Sequence, residues 1–258
     1  MFERLSDGVW RWHDEAGSTA YLVVGRERAA MVDCGAAGKP LMPAIRDITA
    51  LPVDLLLTHA HPDHYGSAAE FERIWLNGAD VRALPVLEAS FAALGVAPLP
   101  RERLRCFADG QVFGLGGKQL LARALPGHTP GSTVFIDDAD RCMFSGDAVG
   151  SGDIVLMSVP LASTLSAYRG ALHGFLAATA DCGDYRWHAG HCHQAVRPTG
   201  ECNPPCRALC EDMAALCGAL LDGSIRGREV EERFAPQGRA LRAYLGRAGI
   251  VYCEEQRY

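Results

Sequence analysis

A nine-residue stretch, THAHPDHYG at residues 58–66, limits more than any other feature what this chain can be. It directly follows an apolar run at residues 53–57. Within six residues it places three imidazoles and one carboxylate, at His59, His61, Asp63 and His64. Neutral imidazole is the commonest protein ligand for zinc, and carboxylate oxygen is a usual companion. Because four such groups would pack badly in an apolar core, the stretch predicts a metal site in a loop after a buried strand.

Length and charge narrow the class of protein. The 258 residues suit one large domain, or one domain with a small appendage. The net charge of −6 gives no support for binding nucleic acid or an anionic membrane. No apolar run reaches the roughly 18 residues of a membrane helix, and the N-terminal residues lack an apolar signal core. A cytoplasmic location and a small-molecule substrate are therefore expected, and a homodimer is one option for the oligomeric state.

Short apolar runs bounded by turn residues predict strands, and apolar residues at helical spacing predict helices. Strands are expected at residues 9–12, 20–24, 29–33, 53–57, 103–107, 111–115, 119–124, 133–137, 141–144 and 185–189. Helices are expected at residues 40–50, 84–94, 163–178, 205–221 and 239–247. Each half of residues 1–200 is thus a run of strands followed by helix, which indicates an α+β protein.

Three later positions complete the candidate site. Each follows a predicted strand and comes directly after a glycine, a residue that permits unusual backbone angles and close approach. The positions are His128 in the turn PGHTPGS, Asp147 in the motif SGD, and His191 after Gly190. With the opening stretch they give five imidazoles and two carboxylates on loops at strand ends. Such a set can hold two divalent metals and leave positions open for water and substrate.

The order and spacing of these motifs resemble those of the metallo-β-lactamase fold superfamily. The similarity is to its broad hydrolase branch, which includes glyoxalase II-like proteins, and its motifs span residues 58–191. The resemblance implies a four-layer αββα sandwich, with two mixed sheets inside, helices outside, and the site at one edge between the sheets. Residues 1–200 would form this catalytic domain, and residues 201–258 a helical C-terminal extension packed on it.

The resemblance also implies a division of the ligands between two metals. His59, His61 and His128 would hold one ion, Asp63, His64 and His191 the second, with Asp147 bridging. Zinc is favoured, although a histidine–carboxylate set also accepts iron or manganese. A metal-bridged hydroxide would attack the carbonyl of a small ester, thioester or lactone. Asp63 would orient the nucleophile or relay its proton, and Tyr65 would turn its hydroxyl to the substrate.

Departures from other branches of the superfamily narrow the function. His61 stands where the diiron flavoproteins carry Glu, and Asp147 stands where the β-lactamases use Cys. The acidic chain disfavours the RNA nucleases of the fold. A glyoxalase II assignment is weakened because His191 lacks the Glu-Tyr that usually follows it there. A phosphodiesterase, a β-lactam hydrolase of the same fold, and a non-catalytic metal-binding or sensor protein remain as alternatives.

The remaining histidines and cysteines have plainer interpretations. His188 is expected to be a strand residue, and His193 an outer neighbour of the site. The ten cysteines are expected to be free thiols, because no secretion signal is seen. Packing is favoured over a metal site or a disulfide for Cys192 beside His191, and for the group Cys202, Cys206, Cys210 and Cys217. The glycine-rich residues 150–157 are expected to line the pocket.

Overall fold

The structure is a computed structural model that describes residues 1–36, 40–150, 154–191, 203–235 and 237–258. Its helices are α1 (Met42–Arg46), α2 (Pro62–Tyr65), α3 (Gly78–Ser90), α4 (Leu165–Ala178) and α5 (Arg207–Asp222). No helix of these described ranges combines the length and the apolar character that a membrane crossing requires.

The first sheet has seven strands, in the spatial order in which they occur along the chain. They are β1 (Glu3–Ser6), β2 (Val9–His13), β3 (Thr19–Val24), β4 (Ala29–Val32), β5 (Val53–Leu56), β6 (Ile74–Asn77) and β7 (Leu104–Phe107). Strands β1 to β4 pair antiparallel, whereas β4 to β7 pair parallel. The parallel half turns the carboxyl ends of β5 and β6 to one edge, where the opening histidine stretch begins.

The second sheet has five strands in the order β13-β11-β10-β9-β8. They are β8 (Val112–Gly114), β9 (Gln119–Ala124), β10 (Thr133–Asp137), β11 (Cys142–Gly146) and β13 (Arg186–Ala189). Only β11 and β13 pair parallel in this sheet. Their carboxyl ends therefore lie side by side, at the positions that precede Asp147 and His191.

Alternation of side chains along the strands builds the layers. Val23, Val32 and Leu56 face one way and share an apolar cluster with Phe135 and Phe144, so this cluster fills the space between the two sheets. The intervening side chains of the first sheet pack against α1 and α3, and those of the second sheet pack against α4 and α5. The expected four-layer αββα sandwich is confirmed.

A third sheet includes residues for which the sequence predicts a helix. It has the order β12-β16-β15-β14, with β12 (Val155–Leu156), β14 (Arg228–Glu231), β15 (Arg239–Leu245) and β16 (Ala248–Tyr252). The helix predicted at residues 239–247 is therefore wrong. Ala, Leu and Arg favour helix locally, but pairing with two neighbouring strands outweighs that preference. Gly246, at φ +55°, opens the two-residue turn between the Leu245 and Ala248 pair.

Among its described residues the C-terminal segment forms one α-helix, α5, and a short 3-10 turn at Glu254–Gln256, and it shares a sheet with the preceding part of the chain through β12 and β16. The predicted domain boundary at residue 200 lies outside the described residues and stays a prediction. Two further differences concern β6 and the helix that follows it.

Strand β6 has no counterpart among the predicted strands. Helix α3 starts at Gly78 rather than at residue 84, because the Asn77 side chain accepts a hydrogen bond from Ala79 N at 2.9 Å and caps the helix there.

Candidate metal centre

All seven candidate ligands converge at one edge of the two central sheets. His59 and His61 lie in the loop after β5, and Asp63 and His64 lie in the single turn of α2. His128 lies between β9 and β10, Asp147 follows β11, and His191 follows β13. The five imidazoles are almost fully buried, whereas the Asp63 side chain is 40% exposed. Asp63 therefore lies on the open side of the cluster.

The atoms that can bind a metal form overlapping groups whose members lie within 4.8 Å of one another. These groups are His59, His61 and His128; Asp63, His64 and His191; and His59, His64 and Asp147. The Asp147 carboxylate lies 3.6 Å from His64 Nε2, 3.7 Å from His128 Nε2 and 3.2 Å from His191 Nε2. It therefore stands between the first two groups, which have the same members as the two metal sites that the resemblance implies.

A buried carboxylate outside the predicted set orients two of the rings. Asp33 accepts hydrogen bonds from Thr58 N at 2.8 Å and from Thr58 Oγ1 at 2.7 Å, and its Oδ2 lies 2.9 Å from His64 Nδ1. Thr58 Oγ1 in turn lies 3.1 Å from His59 Nδ1. Since the Thr58 hydroxyl donates to Asp33, it can only accept from His59. Both rings therefore carry their proton on Nδ1 and direct the Nε2 lone pair into the cluster.

The His128 ring is fixed in the same way from another direction. Its Nδ1 lies 2.6 Å from the carbonyl oxygen of Leu156, an acceptor only, so Nδ1 carries the proton. The Nε2 atoms of His59, His61, His64 and His128 are buried, and none has a hydrogen-bond partner among the described residues. Buried polar atoms without partners are rare. Four such ring nitrogens grouped around an ionised carboxylate fit divalent metal ions.

The two groups of the cluster differ in their protonation without a metal. Burial lowers the pKa of His64 and of His191, but the surrounding carboxylates outweigh it and raise both, so a metal ion would displace protons from these two rings. Burial and the neighbouring imidazoles lower the pKa of His59 and of His61 well below the usual range, so both rings stay neutral. Burial alone would raise the pKa of Asp147, but the His191 and His64 rings hold it well below its usual range. A neutral imidazole and an ionised carboxylate are the forms that bind metals.

A second buried carboxylate outside the predicted set joins the two loops of the first group. Asp80, in the first turn of α3, accepts from Ala60 N at 2.9 Å, from Gly131 N at 2.6 Å and from Thr129 Oγ1 at 2.8 Å. Ala60 lies between two candidate ligands, and Thr129 directly follows another. Asp80 thereby holds the His59 loop and the His128 turn at a fixed distance. The only sequence signal for Asp80 is an acidic residue within a mainly apolar helix.

Two positions require glycine because neighbouring side chains come too close to the backbone there to leave room for a Cβ atom. A Cβ on Gly190 would lie 2.2 Å from Asp147 Oδ1 and 2.9 Å from His64 Cε1. Gly146 has φ +47°, and a Cβ there would lie 2.3 Å from Thr58 Oγ1. Any side chain at these positions would displace the ligands or their support. The glycines noted before Asp147 and His191 therefore keep the space between β11 and β13 open for the site.

The structure places the other predicted residues as follows. Tyr65 is only 3% exposed and belongs to an apolar cluster, and burial raises its pKa to about 12, so its substrate-facing role stays a prediction. His188 lies in β13 and stacks on Phe144 with ring centroids 5.4 Å apart, as a strand residue. Residues 151–153 of the expected pocket wall, Cys192, His193 and Cys202 lie outside the described residues. All eight described cysteines are free, and Cys210 and Cys217 pack in an apolar cluster.

Comparison with known proteins decides the family. The sequence profile of the Metallo-beta-lactamase superfamily matches residues 13–181. The chain belongs to this superfamily. A solved metallo-beta-lactamase family protein from Thermus thermophilus shares the fold, with a TM-score of 0.62 at 20% identity over 85% of this chain and 82% of that one. A second structure, solved in a di-iron-bound form, has a TM-score of 0.55 at 28% identity over 67% of this chain and 87% of that one.

Two curated relatives bear on the class of enzyme. An acyl-coenzyme A thioesterase, MBLAC2 of Bos taurus, is 30% identical over 186 residues, which cover 58% of this chain and 67% of the relative. The hydroxyacylglutathione hydrolase GloC of Haemophilus influenzae is 31% identical over 138 residues, which cover 50% of this chain and 64% of that one. The chain thus spans about two thirds of the length of these relatives. These matches confirm the prediction that the protein is an enzyme, a metal-dependent hydrolase of this superfamily.

Proposed function

We propose that the protein is a binuclear metal-dependent hydrolase that cleaves a small acyl thioester. The observation that best supports this proposal is the group of four buried Nε2 atoms without partners around the Asp147 carboxylate. The thioester is favoured over an ester or lactone because the names of both curated relatives denote release of an acyl group from a thiol carrier. Zinc remains the proposed metal, with iron as the first alternative because one structural neighbour is di-iron-bound. Cytoplasmic location and a homodimer stay predictions.

The ligands are assigned by the groups they form. His59, His61 and His128 would hold one ion, Asp63, His64 and His191 the other, and Asp147 would contact both. Bound divalent ions lower the pKa of water and polarise a carbonyl oxygen, which is the chemistry that thioester cleavage needs.

The chain itself contributes orientation and proton transfer. Asp33, Thr58 and the Leu156 carbonyl fix the ligating rings before substrate arrives, so that no reorganisation is needed during the reaction. Asp63 Oδ2 lies 3.3 Å from His191 Nε2 on the exposed side of the cluster. Asp63 would accept the proton of the attacking water and return it to the leaving thiolate.

A substrate panel tests this proposal. Protein loaded with zinc, iron or manganese is assayed with matched acyl thioesters, esters and lactones, and with a phosphodiester and a β-lactam. We expect thioesters to give the highest kcat/KM. The double variant with His61→Ala and Asp147→Ala should lose bound metal and activity together, whereas His173→Gln on the exposed face of α4 should change neither. Turnover that survives in the metal-free double variant would overturn the proposal, and tight metal binding without turnover would favour a binding protein.

A further inference from the structure

A stretch of exposed apolar residues begins next to the candidate metal centre. None of the ten residues from Phe91 to Pro100, in the sequence FAALGVAPLP, has a polar side chain, although 22% of the residues in the chain are charged. Residues 92–95, 97 and 98 are exposed, and Leu94 is 45% exposed. We call residues 92–98 the apolar segment. Contiguous exposed apolar surface of this kind often marks a binding site.

The candidate ligand His61 connects this segment with the site. The Phe91 ring packs edge to face against the His61 ring, with centroids 4.9 Å apart. His61 is the most exposed ring of the first metal group, at 6% against 1% for His59 and 2% for His128. Phe91 therefore contacts this group on the side where it comes nearest to solvent.

The exposed leucine of the segment lies close to Phe91. Residues 92–94 continue directly from Phe91 as one turn of 3-10 helix, and Leu94 N donates to the Phe91 carbonyl oxygen at 2.9 Å. With a rise of about 2 Å per residue, Leu94 lies about 6 Å along the helix axis from Phe91. An apolar chain that leaves the first metal group past Phe91 can therefore reach Leu94.

Both ends of the segment are fixed by the surrounding structure. At its start, Phe91 is contacted by a second ring, that of Phe234, with centroids 5.4 Å apart. At its end, Glu88 of α3 accepts from Leu99 N at 3.0 Å and pairs with Arg101 at 2.6 Å. Leu99 is only 2% exposed and belongs to the same apolar cluster as Phe91. A bound chain would thus meet a preformed surface, which lowers the entropic cost of binding.

The composition of the segment indicates which part of a thioester it fits. Its side chains offer no partner to the phosphate, carboxylate or amide groups of a thiol carrier. An uncharged hydrocarbon chain would instead bury apolar surface against Ala93, Leu94 and Val96.

We propose that the apolar segment contacts the hydrocarbon chain of the substrate's acyl group and makes the enzyme prefer long over short acyl chains. This inference rests on the proposed thioester hydrolysis. The reacting carbonyl would lie at the metal centre, and the acyl chain would pass Phe91 toward Leu94.

Binding of an uncleavable probe tests the segment separately from turnover. The probes are 2-oxoalkyl thioethers of N-acetylcysteamine, in which a methylene between carbonyl and sulfur prevents hydrolysis. Full burial of one methylene strengthens binding about fourfold, so contact on one side only should strengthen it about twofold. Calorimetry on the metal-loaded protein should therefore give a Kd that falls about twofold with each added methylene.

Leu94→Asn removes the largest exposed side chain of the segment. It should weaken binding of a 2-oxodecyl probe about fivefold and leave binding of a 2-oxopropyl probe unchanged. Leu94→Met, which keeps the apolar contact, should retain both affinities. The control Val112→Thr, at a 43% exposed position in the edge strand β8, should change no Kd. Because both positions are exposed, these variants should keep the Tm of the unaltered protein.

Three outcomes decide between the alternatives. A Kd that does not depend on chain length, or that Leu94→Asn leaves unchanged for the 2-oxodecyl probe, would overturn the proposed acyl contact. Sedimentation showing a dimer of the unaltered protein and a monomer of Leu94→Asn would also overturn it, since a second copy would then cover the segment. Chain-length-dependent binding that Leu94→Asn weakens, without hydrolysis of the matching thioesters, would overturn the proposed function and support an apolar ligand site.

Discussion

Asp80 offers the sharpest test of how the candidate metal centre is held together. Its two carboxylate oxygens have different duties: Oδ1 accepts from Gly131 N, and Oδ2 accepts from both Ala60 N and Thr129 Oγ1. Asp80→Asn can keep the two bonds to Oδ2, but its amide would face the Gly131 N–H donor to donor. Asp80→Ala removes both acceptor oxygens and with them all three hydrogen bonds. The two variants should therefore differ by a predictable step.

The size of that step follows from the buried donors left without partners. One unpaired donor costs about 1–3 kcal/mol. Burial raises the pKa of Asp80 to about 6, so desolvation of the carboxylate already offsets part of what its bonds contribute. We therefore expect a loss of about 1–2 kcal/mol in the free energy of unfolding for Asp80→Asn. For Asp80→Ala we expect about 3–4 kcal/mol, since the three costs are not fully additive.

Urea unfolding of metal-free protein measures these losses without a contribution from bound ions. Metal titration of the same variants should show affinity weakened about 10- to 100-fold, because the His59 loop and the His128 turn lose their common anchor. Asp109→Asn is the control: its Oδ1 also accepts a backbone N–H, from Ala124 at 2.8 Å, but on the surface, and should cost under about 0.5 kcal/mol. Equal losses for the two Asp80 variants, or unchanged metal affinity in both, would refute the anchoring role.

Three further perturbations follow from the packing of the site. Gly190→Ala should lower both the metal content and the Tm, since its Cβ would meet Asp147 Oδ1 at 2.2 Å. The control Gly174→Ala, with open space around its Cβ, should stabilise the protein by about 0.5–1 kcal/mol. An unchanged Tm and metal content in Gly190→Ala would contradict the close approach. Tyr168→Phe removes the buried 2.6 Å bond to the Ala148 carbonyl and should cost about 1–2 kcal/mol in urea unfolding, and no loss would show that this carbonyl finds another donor. Chelation should lower the Tm reversibly because the buried ring nitrogens lose their metal ions. A Tm that neither chelator nor added zinc changes would contradict metal occupancy.

The candidate ligands could be found from sequence because their signal is local. His59, His61, Asp63 and His64 share one short stretch, and each later candidate follows an apolar strand and a glycine. The supporting carboxylates carry no such signal. Asp33, at the end of β4, meets His64 after the neighbouring strand β5, and an aspartate at a strand end does not reveal a partner 31 residues away.

The central layers were predictable because strand periodicity and burial agree there. The C-terminal sheet was not, since the residues of β15 are good helix formers and only pairing with β14 and β16 makes them a strand. The Gly246-Arg247 turn was the available signal for a hairpin.

The proposed function requires that one histidine–aspartate cluster binds two metal ions, a requirement that metal stoichiometry measures without any substrate. Elemental analysis of purified protein, equilibrated with zinc and then freed of loosely bound ions, should give about two ions per chain. His61→Ala and His191→Ala, which each remove a ligand from a different group, should each retain about one ion and lose hydrolysis. A single ion in the unaltered protein, or a loading that neither substitution changes, would contradict the binuclear account.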